Sequence, residues 1–145
     1  MKIEELKQMW ETDSVIDDNY LGEASTTTAK LHSKYINILV DTKLKLVKYR
    51  NDANILKKNK SKWMRGEMSK DELDELGWEQ WQYNKLLKAD ISDSLLGDKE
   101  VINIQNKVEY LEIVVLFIEG VLSQIKARDF QLKNAIQWKV FLAGS

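Results

Sequence analysis

A chain of 145 residues with 43% apolar content is one domain's worth of sequence and carries enough apolar side chains for a core. Its 22 Lys and Arg nearly cancel 23 Asp and Glu, so any attraction to a charged partner has to be local. Cys is absent, which excludes disulfides and thiolate chemistry and fits a reducing cytosol; Pro is absent too, and abundant Lys, Leu, Ile and Glu with six Gly predict an all-α protein.

The first predicted helix is Ile3–Thr12, with Ile3, Leu6 and Trp10 on one face. The next segment, DSVIDDNYLGEASTTT, has no period and reads as an extended connection. Met1–Glu23 holds seven acids against Lys2 and Lys7, so this end is acidic. A long helix follows from about Thr28 to Trp63. Its seam is Tyr35, Leu39, Thr42, Leu46, Tyr49, Ala53 and Leu56, in heptad spacing. At 1.5 Å per residue it would be a rod of roughly 54 Å, which calls for a partner helix or a second copy of the chain.

Gly66 stops the rod. Ser69 and Glu72 form a capping-box pattern for a short helix, Lys70–Leu76, ended by Gly77. Glu67–Glu79 holds six acids and only Lys70; the aromatic group Trp78, Trp81 and Tyr83 follows in a stretch with no assignable period. The last long helix starts at the N-cap candidate Asp98. Val101, Ile104, Val108, Leu111, Val115, Ile118, Leu122 and Ile125 keep 3–4 spacing, and Val114, Phe117 and Val121 widen the stripe. Asp129 is read as the cap of a final helix, Phe130–Leu142. The wide stripe suggests self-association, and Val108, Leu111, Val115, Ile118, Leu122, Ile125 and Phe130 are the expected oligomerisation residues.

No basic segment followed by an apolar one opens the chain, and the most apolar run, IVVLFI at Ile113–Ile118, is too short for a bilayer. No membrane partner is expected, and the protein reads as soluble and intracellular. A lone histidine, His32, without any Cys makes neither a metal site nor a Cys–His pair and is read as structural. No GxxxxGK[ST] or GxGxxG loop exists, and clustered carboxylates such as Asp13, Asp17 and Asp18 read as solvated surface. No catalytic residue, metal or cofactor is therefore expected.

Binding chemistry is concentrated elsewhere. Lys43–Arg65 contains nine basic residues opposed only by Asp52, a local net of +8. Such a patch binds phosphates by releasing condensed counterions, and Trp63 offers a ring on which a base can stack. The plainer reading is that these lysines solvate a long helix and that Trp63 is core at its end. Both readings stay open on charge alone.

Five blocks then carry a resemblance: VIDDNYLGEA at Val15–Ala24, LHSKYINIL at Leu31–Leu39, KSKWMRGEM at Lys60–Met68, DELGWE at Asp74–Glu79, and IKARDFQLKNAIQWKVFLAG at Ile125–Gly144. In this order they resemble the UvsY recombination mediator family of T-even-type bacteriophages and their marine relatives, over nearly the whole chain. The resemblance implies a non-catalytic accessory protein that forms a ring-like homo-oligomer, heptamer-like in size, and binds single-stranded DNA. It further implies a place in the cytoplasm of the infected bacterial host. There such proteins help UvsX, a RecA-like recombinase, replace the phage single-strand-binding protein. The family's basic–any–basic–apolar DNA-contact element is matched by Lys60, Ser61, Lys62 and Trp63. Together with Lys57, Lys58 and Arg65, these give the expected DNA-binding residues.

The expected fold is all-α, with long heptad-bearing helices in a hairpin or bundle. It comprises an N-terminal helix and long basic helix (residues 1–66), an acidic and aromatic connection (67–97) and C-terminal oligomerisation helices (98–145). The rival is a helical oligomeric scaffold that binds only protein.

Overall fold

The computed structural model describes Met1–Gly144; Ser145, the last position of the expected C-terminal segment, lies outside the described residues. All regular structure among the described residues is helical. The order is α1 (Ile3–Asp13), a single 3-10 turn (Asp18–Tyr20), α2 (Leu21–Met64), α3 (Lys70–Leu76), α4 (Lys88–Leu96) and α5 (Lys99–Leu142). Helices α2 and α5 each run 44 residues, about 66 Å at the usual rise. With no proline and no mid-helix glycine in α2, nothing breaks its backbone ladder.

Two compact units divide the chain: Met1–Leu44 with the part of α5 from Glu112 onward, and Lys45–Leu111. In the first unit the early half of α2 runs antiparallel to the late half of α5. Lys43 meets Glu119 at 3.5 Å, and Asp13 at the end of α1 takes contacts from both Lys34 and Arg128. Leu6, Leu21, Tyr35, Leu39, Val114, Ile118, Ile125 and Leu132 are among its buried side chains, and Trp10 packs edge-on to Tyr35 at 5.5 Å. In the second unit the late half of α2 runs antiparallel to the start of α5. Lys60 reaches Glu100, Lys57 reaches Gln105, and Lys107 sits over the Tyr49 ring. Leu46, Ala53, Met64, Leu73, Ile91, Val101 and Val108 are buried there.

The α2 seam is the expected one: Tyr35, Leu39, Thr42, Leu46 and Ala53 are buried, and Tyr49 and Leu56 half-buried. Its cover is α5 of the same chain. Three expectations need correction. The segment read as an extended connection is helical from Leu21 onward. Leu21 is buried, and the hydroxyls of Thr26, Thr27 and Thr28 donate to the carbonyls of Glu23 and Ala24, so the threonines are satisfied inside the helix. Asp129 caps nothing. α5 passes straight through it because the buried seam continues as Ile125, Arg128 and Leu132, with an arginine where an apolar residue would be read. Within 67–97, helix α4 went unforeseen; its signal is Ile91 and Leu95 one turn apart, with Gly97 just past the end.

Asp98 caps α5 as expected, its Oδ1 accepting from the backbone N–H groups of Glu100 and Val101. Ser69 accepts from the Glu72 N–H at the start of α3, and Gly77 ends α3 with φ 69°. Gly66, also at φ 69°, ends α2 by letting the Glu67 N–H reach back to the Lys62 carbonyl. That turn points the acidic segment back toward the basic end of α2.

Candidate nucleic-acid interface

The six residues expected to bind DNA lie at the end of α2, on different sides of the helix. Lys58 is exposed and, among the described residues, has no ion-pair or hydrogen-bond partner; Lys45 and Lys48 on the same helix share that state. Lys57 is half-buried and donates to Gln105 Oε1 at 3.2 Å. Lys62 donates to both oxygens of Glu72, at 2.9 and 2.7 Å. That bond holds the Glu72 carboxyl below its usual range, with the positive charge of Lys62 and the hydrogen bonds from Ser69 adding to it against partial burial. Arg65 faces Glu67 at 3.5 Å.

Lys60 is the outlier. It is only 5% exposed, and its ammonium lies 3.3 Å from Asp98 and 3.3 Å from Glu100. The rings of Trp63 and Trp78 stand 5.0 and 4.8 Å away, so the cation is held between two π faces and two carboxylates. A lysine buried this way pins the end of α2 to the start of α5.

Trp63 is half-buried and anchors the aromatic segment that sequence reading left unassigned. Its indole N–H donates to the Glu79 carbonyl at 2.7 Å, and its ring lies 5.3 Å from Trp78 and 4.9 Å from Trp81. Trp81 in turn packs on Tyr83 at 5.1 Å, and Tyr83 is 77% exposed. The solvent-exposed ring is therefore at Tyr83, the far end of this chain of rings, while Trp63 is its root. The clustering of Trp78, Trp81 and Tyr83 within six residues is the available signal, but no period places it beside α2.

The residues expected to join subunits are placed mostly inside the single chain. Val108, Val115, Ile118, Leu122 and Ile125 are buried and Leu111 is half-buried, because α2 already covers the stripe that looked too wide for one chain. Assigning these six to subunit contacts does not fit their positions. Phe130 alone is open, at 70% exposure, and Ile113, Leu116, Trp138, Phe141 and Leu142 of α5 are open with it.

Among the described residues no group of His, Cys, Asp or Glu is arranged to hold a metal ion, and no helix is long and apolar enough to cross a membrane.

Against this geometry the comparisons with known proteins agree with one another. A family model described as "Recombination, repair and ssDNA binding protein UvsY" matches residues 9–145. The recombination protein uvsY of Enterobacteria phage T4 is 24% identical over 144 residues, covering 99% of both chains. Two crystal structures of the bacteriophage T4 recombination mediator protein UvsY share the fold. One has a TM-score of 0.85 at 23% identity over 99% of this chain and 98% of that one; the other has 0.82 at 22% over 94% and 98%. The family pattern thus runs from the end of α1 through the last helix, and the chain belongs to the UvsY family of recombination, repair and ssDNA-binding proteins, which is not a family of enzymes.

Proposed function

We propose that this protein binds single-stranded DNA as a recombination mediator and helps a UvsX-like recombinase load onto DNA coated by phage single-strand-binding protein. The setting is phage homologous recombination, repair and recombination-dependent replication in the cytoplasm of the infected host. Family membership supports the general role, and one observation carries the local one. Unpaired lysines, Lys45 and Lys48 in the middle of α2 and Lys58 near its end, lie on the same helix that roots a ladder of aromatic rings ending in the exposed Tyr83. Lys45, Lys48 and Lys58 take phosphates directly. Lys62 and Arg65 join by exchanging Glu72 and Glu67 for phosphate, Lys57 by releasing Gln105, and Lys60 with Trp63 holds the platform in shape.

A few contacts per subunit bind weakly on their own, so a homo-oligomeric ring, with copies meeting through the open apolar face of α5, raises affinity by effective concentration. The same exposed apolar residues favour the rival reading of a protein-only scaffold, and salt separates the two. Labelled oligo(dT) is titrated at two salt concentrations with the parent and with Lys48→Ala/Lys58→Ala. The expected result is salt-sensitive binding, weakened about tenfold in the variant with a shallower salt slope. Absence of strand binding by the parent would leave the scaffold reading.

A further inference from the structure

The first unit contains a buried cation with no counter-ion among the described residues. Arg128 is only 6% exposed, yet among the described residues it forms no ion pair. One terminal nitrogen donates to the backbone carbonyl of Asp13 at 3.2 Å, and its Nε finds no acceptor. Asp13 lines the same cavity, and its Oδ2 already accepts from Lys34 at 2.7 Å and from the Tyr35 hydroxyl at 2.9 Å. A buried guanidinium without a counter-ion is costly, so uptake of an anion beside it would be favourable.

The surroundings fit that anion. Arg128 lines an open cavity of about 460 Å³ together with Asp13, Thr27, Lys30, Leu31 and Lys34. Lys30 is exposed and unpaired, and with Lys34 and Arg128 it puts three positive charges against the single carboxylate of Asp13. The Thr27 hydroxyl adds a polar group at the wall, at present donating within α2 to the carbonyls of Glu23 and Ala24. Guanidinium is the group best suited to bidentate recognition of a phosphoryl oxygen pair, and a net surplus of charge favours a dianion or a diester over a neutral ligand.

We infer that the cavity bounded by Thr27, Lys30, Lys34 and Arg128 is a phosphate-group subsite. It is separate in sequence from the Lys45–Arg65 stretch. A phosphate there comes either from a nucleic-acid backbone or from a free phosphoryl compound. The first source rests on the strand-binding reading above, while the second does not.

The full-length parent, Lys30→Ala and Arg128→Met are each heated with inorganic phosphate and, as a control, with sodium chloride at equal ionic strength. Phosphate is expected to raise the Tm of the parent by a few degrees more than chloride does, and both variants are expected to lose that increment. Lys30 is exposed and unpaired, so its variant keeps the fold even if the arginine variant does not. In a parallel arm, oligo(dT) binding by Lys30→Ala is compared with the parent. A weakening of about three- to tenfold, with the salt slope reduced by about one, assigns the subsite to a strand. Unchanged strand binding with the phosphate increment intact in the parent and lost in Lys30→Ala assigns it to a free phosphoryl compound. No phosphate-specific increment in the parent, or an increment that survives in Lys30→Ala, overturns the proposal, as does stabilisation by polyglutamate but not by phosphate. Should the parent bind no strand at all, the strand-binding reading fails, and the phosphate arm still decides the subsite.

Discussion

Among the described residues each unit buries one cation on a long helix, and the two are treated in opposite ways. In the second unit Lys60 sits between two carboxylates and two indole rings, with its charge answered on all sides. In the first unit Arg128 is buried to a similar degree, with one backbone carbonyl and no counter-ion among the described residues. Burial and positive charge are therefore poor guides to ligand binding when taken alone. What separates a structural cation from a candidate ligand site is whether the fold already supplies the anion.

Substitution should split the pair most clearly. Lys60→Ala leaves Asp98 partly buried without its partner and removes the cation lying over the Trp63 and Trp78 rings. The expected loss is about 2–3 kcal/mol in urea unfolding, below the full value for a buried pair because Glu100 is largely exposed. Arg128→Met removes an unanswered charge while keeping much of the apolar stem, so its stability in phosphate-free buffer should stay within about 1 kcal/mol of the parent or rise. A large loss at Arg128, or none at Lys60, breaks the comparison.

A smaller effect is expected from Glu72→Gln. Glutamine keeps the capping position of α3 but gives Lys62 no charge to hold it, so strand affinity should rise by up to about fivefold, the range of an exposed ion pair. Glu75→Gln on the same helix, an equal change of charge at an exposed residue without a partner among the described residues, is the control. Equal gains from both would mean that overall charge, and not release of Lys62, sets the affinity.

The smallest effect lies at Tyr35, whose hydroxyl donates to the Asp13 carboxylate while Arg128 donates to the Asp13 backbone carbonyl. Burial first, then the hydrogen bond and charge of Asp13, push its phenol well above the ordinary value of 10.0. Above about pH 10 the unfolded chain loses that proton while the folded chain keeps it, so this group makes stability fall as pH rises. Alkaline titration by tyrosine absorbance should show one phenol ionising late, and Tyr35→Phe should abolish the late step. An unshifted titration of all five tyrosines would remove the buried Asp13–Tyr35 bond from the account.

Much of this protein could be read from its residues in order. Proline-free composition and unbroken 3–4 spacing determine two long helices. Asp98, Ser69, Gly66 and Gly77 determine where elements begin and end, because caps and left-handed turns are local chemistry. The basic stretch and the family resemblance were equally legible. Tertiary structure decided the rest, since it depends on which faces meet. An apolar stripe looks the same whether α2 of the same chain or another subunit covers it, so Val108 to Ile125 could be taken for subunit contacts. Lys60 and Lys58 are identical in composition, and only the angle around α2 sends one between Asp98 and Trp78 and the other to solvent. Arg128 directly precedes Asp129, the residue read as the cap of a final helix. In the fold Arg128 is a core position, and its missing counter-ion is a property of three dimensions that no spacing along the chain records.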